Sequence, residues 1–125
     1  MTLSQIKRIF LLGGIGGILA ISPLVILGIL PGLTFPPDLQ GHENFHRLNL
    51  GGALLIQFLI IYISFDPKRL RRLMVIPMLE KLLAVLILPI LLVLGVQIHP
   101  VLWIMPIADG VLGILFYKAY AQLKS

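Results

Sequence analysis

Cysteine is absent from the 125 residues. Disulfides, thiolate catalysis, iron–sulfur clusters and cysteine zinc sites are thereby excluded. Charge is scarce as well. Ten Lys or Arg and five Asp or Glu make up 12% of the chain, against roughly 25% in an ordinary soluble domain. There is no P-loop, dinucleotide fingerprint or serine elbow, and Gly13-Gly14-Ile15-Gly16-Gly17 has no strand before it to form a phosphate cradle. Strict apolar–polar alternation is also missing, which argues against a β-barrel.

What the chain has in quantity is apolar side chain: 58% of residues are hydrophobic and mean hydropathy is +1.04. In water such a chain would expose large adhesive patches, so a bilayer is its natural solvent. Nearly all the charges fall in short breaks between long apolar runs. A spanning helix needs roughly 20 mostly apolar residues, and runs at 9–30, 48–65, 73–96 and 101–117 are of that order. The sequence therefore predicts one all-α integral membrane domain over 1–125, a four-helix up-down bundle with short connections.

The first run resembles a signal peptide, with Ala20-Ile21-Ser22 mimicking a cleavage site. Pro23 directly after that mimic, and the apolar run resuming at Leu24, favour a retained helix instead. Pro31 to Asp38, Asp66 to Arg72 and Gln97 to Pro100 are the breaks. Pro23, Pro77, Pro89 and Pro106 are expected to kink their helices.

Eight cations (Lys7, Arg8, Lys68, Arg69, Arg71, Arg72, Lys118 and Lys124) fall on one predicted side and Arg47 alone on the other. By the positive-inside rule both termini are expected to be cytoplasmic. The net charge of +5 therefore has a topological meaning, and no soluble basic face exists to bind nucleic acid. The expected setting is a bacterial inner membrane, or a photosynthetic or other energy-transducing one. Trp103 and Phe45 at one boundary, with Tyr117 and Tyr120 at the other, fit an aromatic belt.

Glu80, Lys81 and Asp109 break the pattern, because they lie inside apolar runs. At 1.5 Å per residue, Glu80 falls about 10 Å inside one boundary and Asp109 about 12 Å inside the other. In a core about 30 Å thick their heights differ by only about 7 Å. Gln57 falls near the same level. One turn on from each acid is a small residue, Ala84 or Gly113, which suits a face packed against another helix. Lys81 points about 100° around the helix from Glu80, placing it to bridge toward Asp109. Charges at such depth usually face the bundle and have a partner. Gln57, Glu80, Lys81 and Asp109 are thus either a helix latch or a ligand-binding cluster. Gly13 and Gly17 add a small-xxx-small spacing for close helix packing, within the chain or in a homodimer.

His42-Glu43-Asn44-Phe45-His46 matches H-E-x-x-H, a zinc-protease spacing. A catalytic zinc needs a third protein ligand, and His99 is the only other histidine. His42, His46 and His99 are weak metal candidates, and no metal is assigned to them.

The stretch Arg47-Leu48-Asn49-Leu50-Gly51-Gly52-Ala53, the turn Asp66-Pro67-Lys68-Arg69, the pair Glu80-Lys81 and the lone Asp109 together resemble small bacterial four-helix membrane proteins, loosely DoxX-like. The resemblance covers most of the chain from Glu43 onward. It implies a four-helix bundle and carries no catalytic role. The H-E-x-x-H string is not part of that pattern.

The sequence leads to a non-catalytic membrane protein, an accessory or stabilising subunit of a larger assembly, with lipid, other membrane subunits or a second copy as partners. The alternative is a binder of a lipophilic ligand (quinone, isoprenoid or sterol-like) at the midplane cluster. An intramembrane enzyme using the two carboxyls as acid and base ranks behind both. The sequence leaves the cofactor unknown.

Overall fold

The computed structural model describes residues 1–27, 33–34, 36–39 and 42–123; the side chains of 27, 33, 34, 39 and 42–47 fall outside the description. Four α-helices dominate: α1 Leu3–Leu27, α2 His42–Phe65, α3 Val75–Val93 and α4 Ile104–Gln122. All four are long and apolar enough to cross a membrane, α3 and α4 together with the 3-10 turns that lead into them.

Local chemistry sets the helix ends. α1 begins ahead of the apolar run because Thr2 and Gln5 form a capping box. The Thr2 hydroxyl accepts from Gln5 N at 3.2 Å, and Gln5 Oε1 accepts from Thr2 N at 2.8 Å. The T-x-x-Q signal is legible in the sequence and explains the helix start. α2 ends where Asp66-Pro67 cannot continue it.

α3 stops at Val93 although the apolar run continues to Val96. Gly95 takes φ 91, Gly95 N donates to Leu92 O at 3.1 Å and Val96 N donates to Leu91 O at 3.0 Å. That is a Schellman stop, completed by the packing of buried Val96 with Leu91.

Only two of the four prolines lie inside helices, Pro23 in α1 and Pro89 in α3. Pro77 and Pro106 instead occupy the third position of α3 and α4. First-turn amides have no intrahelical partner, so a proline there removes little and disturbs little.

The helices pair as two antiparallel hairpins, α1 with α2 and α3 with α4, and the contacts between hairpins are sparser. Gly14 lies against Ile61 and Gly17 against Gln57, which sets α1 antiparallel to α2. Gly110 against Val85 and Gly113 against Lys81 do the same for α3 and α4. Between the hairpins, Phe10 stacks on Phe116 with ring centroids 4.4 Å apart, and Gln122 Nε2 donates to Met1 O at 2.7 Å.

The two ends of the bundle differ. At the terminal end, Ile6, Phe10, Ile60, Ile63, Met74 and Phe116 form a buried core shared by both hairpins. Lys7, Arg8, Lys118 and the 68–72 basic turn lie at this end too. Arg71 Nε donates to Tyr120 O at 2.9 Å, with the guanidinium 3.9 Å above the Tyr120 ring. At the loop end, β1 (Leu33–Thr34) pairs antiparallel with β2 (Gln97–Ile98), Leu33 opposite Ile98. This short ladder ties the α1–α2 connection to the α3–α4 connection.

Candidate functional site

Glu80 and Asp109 occupy equivalent positions near the starts of two antiparallel helices. Each follows a 3-10 turn, and each acid sits three residues after a first-turn proline: Pro77 then Glu80, Pro106 then Asp109. Gly113 against Lys81 and Gly110 against Val85 fix a register that leaves the two acids about 8 Å apart in height, a gap the Lys81 side chain spans. Gly113 then makes room for Lys81, since a Cβ at Gly113 would stand 3.2 Å from Lys81 Cβ.

From that position Lys81 bridges both acids. Its Nζ lies 3.1 Å from Glu80 Oε2 and 3.1 Å from Asp109 Oδ1. The bond to Asp109 has hydrogen-bond geometry. The contact with Glu80 is an ion pair at poor angle, and buried Oε2 receives no hydrogen bond. The three side chains differ in exposure: 4% for Lys81, 12% for Glu80 and 23% for Asp109. Lys81 is thus the least accessible of the three.

The trio forms one wall of a cavity of about 480 Å³ between α1 and α4. Small residues border much of the cavity. Gly13, Gly16, Gly17 and Ala20 line it from α1, and Ala108 from α4. A Cβ at Gly16 would meet nothing within 4 Å. Leu12, Ile21, Met105 and Leu112 supply apolar walls. Ile9, Leu12 and Leu115 also line a second hollow of about 380 Å³ reaching Arg8 and Lys118 at the terminal end. The two hollows share one groove along the α1–α4 seam.

Gln57 does not line this cavity. It is fully buried, packs its amide against Gly17 and donates from Nε2 to Ala53 O at 3.0 Å. Its Oε1 has no donor among the described residues. The expected four-residue cluster thus divides into a bridged trio and a separate amide between α1 and α2.

The expected glycine pair divides as well. Gly13 faces Phe116 of α4 and Gly17 faces Gln57 of α2. The close approach of α1 to α2 is made by Gly17 with Gly14, where a Cβ would stand 2.5 Å from Ile61 Cγ1 and 3.0 Å from Gln57 O. Gly14 carries the packing role that its spacing alone did not single out. Ala84 is half-buried.

The backbone of α2 is helical from His42, while the side chains of His42 and His46 lie outside the described residues. His99 is exposed, and its Nδ1 accepts from Val101 N at 3.2 Å, capping the turn before α4. Among the described residues no three His, Asp or Glu gather as a metal site.

The arrangement can do two things chemically. It can tie α3 to α4 through one ammonium, and it can present carboxyl oxygens to a small molecule in an apolar cleft. Comparison of the chain with protein families, with curated proteins and with solved structures finds no match.

Proposed function

We propose that this chain is a four-span membrane protein, both termini cytoplasmic, that holds a lipophilic small molecule in the α1–α4 cleft against Glu80, Lys81 and Asp109. The cleft itself carries the proposal. Small-molecule sites are mostly apolar hollows of about 300–1,000 Å³ with a few convergent polar groups, and this one has about 480 Å³ and three such groups. It lies along the sparsely packed seam between hairpins, the side from which a molecule dissolved in lipid would enter. The cytoplasmic assignment rests on the basic residues gathered at the terminal end.

Gly16→Leu tests the reading without touching the trio, because the added side chain enters open space. Native mass spectrometry of the chain released from gentle detergent is expected to show a retained small molecule in wild type and its loss in Gly16→Leu. Equal retention in both rejects the cleft as the site. Copurification of wild type with another protein subunit and no small molecule would put the accessory-subunit role in its place. Because native cysteine is absent, single cysteines at Lys68 and His99 report topology directly. A membrane-impermeant thiol reagent applied outside intact cells is expected to label only the one at His99.

A further inference from the structure

Resting on the cleft reading, we infer that the bound molecule carries a hydrogen-bond-donating head, a hydroxyl or an ammonium, and is neither an anion nor an acceptor-only compound such as a quinone. The order of exposure decides what a ligand meets. Asp109 at 23% and Glu80 at 12% offer most of the trio's exposed surface, while Lys81, which also borders the cavity, is only 4% exposed and already contacts both carboxyls. Carboxylates only accept, and an ammonium only donates. The accessible polar surface of the cleft is therefore an acceptor surface.

A further observation agrees. Two acids stand against one base in the cleft wall. In a low-dielectric site that imbalance repels a carboxylate or phosphate head and favours a neutral donor or a cation. The apolar flanks, Leu12, Ile21, Met105 and Leu112, take the tail.

The test uses four C15 isoprenoids that share a tail and differ at the head: farnesol, farnesylamine, farnesyl methyl ether and farnesoic acid. Their binding to the full chain in lipid nanodiscs is measured by native mass spectrometry. A hydrogen bond to a charged group is worth about 1.5–3 kcal/mol, so farnesol or farnesylamine is expected to bind at least about tenfold tighter than the ether and the acid. Tighter binding of the amine marks a cationic head; tighter binding of the alcohol marks a neutral one. Glu80→Gln, whose amide also donates, is expected to shrink the alcohol-to-ether ratio to within about threefold.

An ether that binds as well as the alcohol, or an acid that binds best, overturns the donor-head inference and leaves the cleft reading standing. If no compound binds, or if all four bind Gly16→Leu as they bind wild type, both fall together.

Discussion

Lys81 Nζ stands 3.1 Å from Asp109 Oδ1 across the α3–α4 interface, joining residues 28 positions apart in the chain. The same ammonium lies 3.1 Å from its sequence neighbour Glu80. One cation thus serves two acids on two helices, and all three side chains are mostly buried.

Removing the shared cation should therefore cost most. Lys81→Met strands two carboxyls and is expected to lower stability by about 3–5 kcal/mol, the usual loss when a buried pair is broken from one side. Asp109→Leu leaves Lys81 paired with Glu80 and should cost less, and added to Lys81→Met it should recover part of that loss. A double-mutant cycle from reversible denaturation in detergent is expected to give a coupling energy above about 1 kcal/mol. Additive effects would show that the pair does not hold α3 to α4.

The glycines of α1 should rank by what faces them. Gly14→Ala drives a Cβ toward Ile61 and the α2 backbone, so a loss of about 1–3 kcal/mol is expected from overpacking. Gly17→Ala displaces the buried Gln57 amide and should fall in the same range. Gly16→Ala meets open space and is expected to gain about 0.5–1 kcal/mol from helix propensity. Thermal unfolding in one detergent checks the order, and a Gly16→Ala loss equal to that of Gly14→Ala contradicts it.

Gln57→Met should separate the buried amide from the cleft. The substitution keeps an unbranched side chain and removes Oε1, which has no donor among the described residues. Stability is expected to hold or to rise by up to about 1 kcal/mol, because an unmet buried acceptor costs about that much or more. Ligand retention should be unchanged. A variant that folds as wild type but loses the bound molecule would bring Gln57 into the site.

Arg71→Lys should not be conservative. Arg71 donates to Tyr120 O at 2.9 Å while its guanidinium plane covers the Tyr120 ring at 3.9 Å. Lysine cannot make both contacts in that geometry, and a loss of about 1–2 kcal/mol is expected. Faster hydrogen exchange is expected in the last turn of α4, with none at the loop end. Exchange unchanged in that turn would show that Arg71 does not fasten it.

The capping chemistry was written locally. Thr2 and Gln5 mark the start of α1, and Leu94-Gly95-Val96 marks the end of α3, because both motifs depend only on neighbours a few residues away. The approach of Glu80 and Asp109 was readable in part, since constant helical rise put them about 7 Å apart in height, a gap that the Lys81 side chain spans. Which way a side chain points around a helix was less legible. Gly13 and Gly17 share a spacing but turn to different neighbours. Gln57 sits at the expected level yet faces α1, away from the trio.

Composition and the placing of charge determined by themselves that this chain makes four long apolar helices, because backbone hydrogen bonding within a helix needs no partner from afar. Tertiary structure alone decided that α1 and α4 part along their seam to leave a cavity, and that Glu80, Lys81 and Asp109 border it. Both depend on how the two hairpins rotate and lean against each other, and that is set by summed side-chain contacts between segments far apart in sequence.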